Sequence, residues 1–224
     1  RIAREPFGVV ACITPWNFPL HQIVLKLAPA LLTGNTVVLK PSELTPQTTQ
    51  LICEALHEAG FPDGVVNVVN GTGPTVGAPL AASEAVDMVS FTGSTQAGKA
   101  VAALAAQTVK KVATELGGKS PSVVLPGADL ARAVKATVGA CMLNNGQTCS
   151  ALTRLLVPAD LAQQACALAA QEIAKLTVGS SLSEGSRIGP LISQRQQASV
   201  QALLQQGERQ SARPDAEASA VTEQ

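Results

Sequence analysis

A repeated alternation constrains this chain most: short β-branched runs, each followed by a longer segment of helical character. "GVVACI" (8–13), "NTVVLK" (35–40), "GVVNVV" (64–69) and "AVDMVSF" (85–91) are continuous and rich in Val. Parallel strands covered on both faces have this texture. Helices are predicted at about 21–32, 46–59, 74–82 and 96–109. The second of these opens with Thr45 as N-cap and Pro46 at the first helical position, and stops before Gly60. Strand–helix alternation with right-handed crossovers gives an α/β fold built on a Rossmann-like open parallel sheet. Ligands of such sheets sit beyond the carboxyl ends of the strands, which directs attention to the loops after Ile13, Lys40, Val69 and Phe91.

A second unit starts near "GGKSPSVVL" (117–125), with strands predicted at 121–125 and 152–157 and helices at about 129–143 and 159–175. The chain then divides into a first domain over 1–116, incomplete at its N-terminus, and a partial α/β domain over 117–207. From Glu208 onward, "ERQSARPDAEASAVTEQ" has one Val as its only large apolar residue, and 208–224 reads as a disordered tail. The abrupt opening at "RIAREPFGVV", with no initiator Met or leader pattern, is that of the middle of a longer protein.

Charge and cysteine usage exclude several functions. Lys+Arg and Asp+Glu both total 16, so there is no basic footprint for nucleic acid. No apolar run reaches the roughly 18 residues of a membrane span. The five cysteines (12, 53, 141, 149, 166) are odd in number and lack a CxxC pair, and only two histidines are present. That argues against a disulfide framework and a zinc site, and for a reducing, cytoplasmic setting. Cys12, Cys53, Cys141 and Cys166 lie in apolar strand or helix contexts and read as inert core.

Two glycine-rich stretches follow strands. "GTGPTVG" (71–77) is one residue off the G-x-G-x-x-G fingerprint. In "FTGSTQAGKA" (91–100), Gly93 and Gly98 bracket a strand-to-helix turn. There the helix amides with Ser94 and Thr95 suit a phosphate, and a plain tight turn fits equally well. The same residues nearly spell a P-loop from Gly93 to Lys99, but Ala100 stands where Ser or Thr must ligate magnesium. P-loop nucleotide binding is therefore a distant alternative.

Cys149 ends the polar run "NNGQTC" (144–149), an unusual place for a core cysteine. A nucleophilic thiol needs a base or a depressed pKa, and the oxyanion it creates needs donors. His21 follows "WNFPL", and His57 lies between Glu54 and Glu58 on a helix facing solvent, so a Cys–His pair has no support. Glu115, at the end of an apolar segment before two glycines, is either a general base in apolar surroundings or a solvated strand-end acid. Asn17, between Trp16 and Phe18 with prolines on both sides, is either an oxyanion donor or a turn former.

In combination and in this order, "ITPWNFP", "KPSELTP", "FTGST", "ELGGK" and "NNGQTC" resemble the aldehyde dehydrogenase superfamily over about residues 5–207. The resemblance implies that Cys149 attacks an aldehyde carbonyl. Asn17 and the Cys149 backbone N–H would hold the oxyanion, and Glu115 would activate the water that hydrolyses the thioester. It also implies an NAD site made by Lys40, Ser42 and Glu43 toward the adenosine ribose, with Gly73 and Pro74 on the adenine side. Phe91, Gly93, Ser94, Thr95 and Leu116 belong to the same site, and Trp16 lies near the nicotinamide or substrate tunnel, or else in the core. A carboxylate at 43 would repel a 2′-phosphate, favouring NAD over NADP. Glu115 favours a carboxylic acid product over transfer to coenzyme A. The partner implied is a small-molecule aldehyde, with no nucleic acid and no membrane, and full-length relatives would form homo-oligomers. The family's chains are longer, and the pattern is lost after about Gly207, as in an internal fragment. The alternative is an inactive remnant that binds nucleotide or a partner.

Overall fold

A computed structural model describes residues 2–210, which divide between Gly117 and Gly118 into two units. In the first unit, β1 (Val9–Ile13), β2 (Thr36–Lys40), β3 (Val66–Val68), β4 (Met88–Gly93) and β5 (Lys111–Leu116) form one sheet in the order β3-β2-β1-β4-β5. Every pairing is parallel. The connections carry α1 (Pro19–Leu32), α2 (Gln47–Glu58), α3 (Ala78–Ala82) and α4 (Thr95–Ala106).

Strand β1 shows why the predicted strands read as unbroken apolar runs. Ala11 and Ile13 pack on one face with Val89, Phe91, Val101 and Ala105. Val10 and Cys12 pack on the other with Ile23, Leu27, Val37 and Leu39. Both faces are covered, so no position is free to be polar. Burying side chains such as Ile23 and Leu39, both wholly inaccessible, contributes about 2 kcal/mol each.

Several boundaries differ from expectation for physical reasons. Helix α1 starts at Pro19, two residues early, because a proline in the first turn has no N–H to leave unpaired. Thr45 does not cap α2: Pro46 already has helical φ/ψ (−75°, −27°), and the Thr45 hydroxyl is buried with no hydrogen-bond partner among the described residues. The helix predicted at 74–82 is two pieces, a wide π-type turn over Gly73–Gly77 capped by Thr72, and then α3. The run at 85–91 becomes strand only from Met88, since the Asp87 carboxylate accepts the Val9 N–H at 2.8 Å and closes the turn before it. Helix α4 ends at Ala106, and the turn after it puts Val109 at φ 55°. Strand β5 was not predicted; it lies at the sheet edge and pairs only with β4, so most of its residues are exposed.

In the second unit, β6 (Pro121–Val123) and β7 (Arg154–Leu156) pair in parallel, with α5 (Leu130–Met142), α6 (Ala162–Ile173) and α7 (Gln194–Arg209). Val124, Leu130, Val134, Val138 and Ala165 form its core. Asp129 caps α5 by accepting the Arg132 N–H at 3.0 Å, and Ser193 caps α7 through the Gln196 N–H at 3.2 Å. Glu208 and Arg209 complete α7, so the expected tail does not begin at 208. Its remainder over 211–224 lies outside the described residues. Cys166 is exposed on α6 and is not core, whereas Cys12 is buried as expected.

Candidate functional site

The strand order reverses once. The chain runs outward from β1 through β2 to β3, then crosses back to place β4 on the other side of β1. At such a reversal the connections leave in opposite directions and open a crevice beyond the carboxyl ends of the two strands. The loop after β1 carries Trp16 and Asn17, both half-buried, ahead of Pro19 in α1. The loop after β4 is Ser94, exposed, whose hydroxyl accepts the Ala97 N–H at 3.2 Å and caps α4. Thr95 opens that helix, so free amides and the positive end of its dipole stand at the reversal, a favourable place for an anion. Thr14 and Thr92, at the ends of the same strands, have buried hydroxyls with no hydrogen-bond partner among the described residues.

Close packing holds this edge in shape. A Cβ on Gly93 would stand 2.6 Å from the Phe91 ring, which is buried beneath it. A Cβ on Gly98, in α4, would stand 2.5 Å from a methyl of Leu116. Glycine at 98 thus lets the helix approach the end of β5, as dinucleotide-binding turns require of their last glycine.

Lys40 ends β2 almost fully buried, with Nζ 3.2 Å from the half-exposed carboxylate of Glu43. Ser42, buried, accepts the Leu44 N–H at 3.3 Å and so shapes its own turn. Gly73 and Pro74 are exposed in the π-type turn after β3. Glu115 lies on β5 opposite Thr92 in the ladder. Of the two surroundings open to it, apolar or solvated at a strand end, it has the second: it is exposed, because its strand has only one neighbour.

One charged group escaped the sequence reading. Lys26 sits on the buried stripe of α1 with Ile23, Leu27 and Ala30, and its Nζ donates to Ser90 Oγ at 3.0 Å. Burial lowers its pKa, while Cys12 and Glu115 act in the opposite direction. The Cys12 thiol is pushed up to about 11 by burial, against the pull of Lys26. A lone lysine at helical spacing from three apolar residues was the available signal.

Cys149 belongs to the second unit and is exposed, in a turn just after the "NNGQ" loop. Asn144, Asn145 and Gly146 have φ of 52°, 59° and 75°, three successive left-handed residues. Asn tolerates that region better than other residues with a Cβ, and Gly reaches it freely. The Cys149 carbonyl oxygen lies 3.1 Å from where a Cβ on Gly118 would stand, so this glycine lets the cysteine backbone come close. The thiol therefore sits on a shaped, exposed turn, unlike that of buried Cys12.

A parallel sheet with one reversal of strand order, and a helix N-terminus presented beside it, defines the doubly wound, Rossmann-like class of α/β proteins. More specifically, the chain belongs to the aldehyde dehydrogenase family, whose profile matches residues 1–223. The polar tail expected to depart from the family pattern falls inside that match. Among relatives, 3-succinoylsemialdehyde-pyridine dehydrogenase of a Pseudomonas species is 51% identical over 207 residues, covering 92% of this chain and 43% of the relative. Betaine aldehyde dehydrogenase of Bacillus subtilis is 44% identical over 92% of this chain and 42% of its own. A crystal structure of an aldehyde dehydrogenase C mutant from Pseudomonas syringae, complexed with NAD+ and octanal, superposes with TM-score 0.88 at 47% identity. It matches 96% of this chain and 46% of its own. The chain thus spans under half the length of these relatives.

Proposed function

We propose that this chain carries the chemistry of NAD-dependent oxidation of a small aldehyde to a carboxylic acid. The observation that bears most on it is the carboxyl edge of the first unit, where the Asn17 loop and the Ser94 helix start flank the reversal between β1 and β4. The residues present fit a dinucleotide: the α4 N-terminus suits a pyrophosphate, and Lys40 with Glu43 suits ribose hydroxyls. Because Glu43 takes up the Lys40 ammonium, a 2′-phosphate would meet a carboxylate in place of a free cation, which favours NAD over NADP. When bound, NAD supplies the acceptor for the aldehyde hydride. Cys149 Sγ, as thiolate, adds to the carbonyl carbon. The Asn17 side-chain amide and the Cys149 backbone N–H donate to the oxygen that gains the charge. Glu115, open to solvent on β5, takes the proton of the water that cleaves the thioester. The pyridine-bearing semialdehyde, betaine aldehyde and octanal named for relatives share the aldehyde group, and the proposal is of that group. Five free cysteines fit a reducing, cytoplasmic setting, and we extend homo-oligomerisation to the longer protein.

A second reading, a remnant that binds nucleotide without turnover, draws on the exposed Val123, Leu125 and Leu156 of the second unit, apolar side chains open to a partner. Absorbance at 340 nm with NAD and a short aldehyde decides between them. A rise that vanishes in Cys149→Ala is the expected result. A folded chain that binds NAD and gives no rise would establish the remnant.

A further inference from the structure

We infer that Asn145 and Gln147 are positioning residues that fasten the Cys149 turn to the segment 189–192 and fix the register of the thiol. This rests on the reading of Cys149 as the nucleophile. Asn145 Oδ1 accepts the Gly189 N–H at 2.9 Å, and its Nδ2 donates to the Pro190 carbonyl at 3.0 Å. Gln147 Oε1 accepts the Ile192 N–H at 3.0 Å. These three bonds join segments 44 or 45 residues apart.

The chemistry of each partner is specific. Within "GPLI" (189–192), Pro190 has no N–H and offers only its carbonyl, whereas Gly189 offers an N–H. A carboxamide at 145 answers both, since it accepts at one atom and donates at the other. A carboxylate of the same shape answers only the Gly189 N–H.

The backbone explains why such a fastening is needed. Asn144 and Asn145 are held with positive φ ahead of Gly146, a run that costs energy. Within the loop, Gln147 Nε2 donates to the Asn144 carbonyl at 3.2 Å, and Thr148 Oγ1 donates to the Leu143 carbonyl at 3.0 Å. Those bonds close the loop on itself. The bonds to 189–192 tie it to a distant part of the unit. Cys149, two residues past Gln147, inherits the orientation.

The test is fluorine NMR on the whole chain alkylated with a trifluoroacetonyl group, comparing Cys149 with Cys166, the other exposed cysteine of this unit. The parent should give a single Cys149 resonance displaced from its denatured position. Asn145→Gly keeps the positive φ and deletes both bonds. Asn145→Asp keeps the acceptor and loses the donor. Both should move the Cys149 resonance toward the denatured position and leave Cys166 in place, and acidification that protonates the new carboxyl should return it in Asn145→Asp. Gln147→Met should produce the same shift from the other end, and it decides alone if the Asn145 variants do not fold. An unmoved Cys149 resonance overturns the inference, as does a displacement shared equally with Cys166. Neither NAD nor aldehyde enters the measurement, so a chain without turnover still reports on the fastening.

Discussion

Asn35 is the residue whose replacement should report most directly on how the first unit is joined. It is 5% exposed between α1 and β2. Its Nδ2 donates to the Ala30 carbonyl at 2.9 Å and to Thr33 Oγ1 at 2.8 Å, and its Oδ1 accepts the Gly8 N–H at 3.0 Å. One side chain thus links the end of α1 to the residue that opens β1. Asn35→Ala removes three neutral bonds at about 1 kcal/mol each, a loss of about 3 kcal/mol. For a domain of this size that lowers the melting temperature by roughly 10 °C. Asn35→Asp should cost more at pH 7, because it keeps the acceptor for Gly8 and turns a buried carboxylate toward the Ala30 carbonyl. The folded pKa of that aspartate would lie above its unfolded value of about 3.9. Stability relative to the parent is then greatest below that value and is lost as pH rises through the folded pKa. Urea denaturation followed by far-UV circular dichroism at pH 4.5 and pH 7 measures both effects. An Asn35→Asp chain as stable as the parent at pH 7, or one that gains nothing relative to it on acidification, would refute the reasoning.

Lys26→Met should be neutral or up to about 2 kcal/mol stabilising at pH 7, since it replaces a buried ammonium with an apolar side chain of similar length. The lowered pKa of Lys26 means the unfolded chain binds more protons between that pKa and 10.5, so parent stability should climb as pH rises through this window. Urea midpoints at pH 7 and pH 10 should therefore converge between parent and variant, and a loss beyond about 2 kcal/mol at pH 7 would sink the argument. Val109 is 91% exposed at φ 55°, where a β-branched residue is strained, so Val109→Gly should gain about 1 kcal/mol and raise the thermal midpoint. An unchanged or lower midpoint would show that the turn stores no strain there.

Strands buried on both faces were easy to read in the sequence, because a residue such as Val37 or Leu39 has no polar alternative in either direction. Strand β5 was not, because an edge strand exposes Ala113, Thr114 and Glu115 and so loses the apolar signature. Helix α7 was missed for a related reason: none of its residues is buried, and its apolar stripe of Val200, Leu203 and Leu204 is diluted by glutamines. At the candidate site, Cys149 stood out because a thiol in a polar loop is rare. Its supports did not. That Asn145 meets Gly189 and Pro190 depends on a fold that returns the chain 44 or 45 residues later, and no local pattern encodes it. Lys26 was hidden because the one polar residue in an apolar stripe looks like a lapse in pattern until its partner on β4, Ser90, is seen.

The reversal of strand order also sets the order in which the sheet can assemble. The Gly8–Asn35 contact that accompanies β1–β2 pairing closes a loop of 27 residues, whereas the Val9–Asp87 contact beside the β1–β4 seam closes one of 78. Longer closures cost more chain entropy before they return any contact, so short parallel crossovers are favoured to form first. The β1–β2–β3 and β4–β5 halves should then arise separately and meet along β1. The crevice beyond β1 and β4 would come into being only at that last joining, so a nascent chain could hold both halves of the sheet and still lack it.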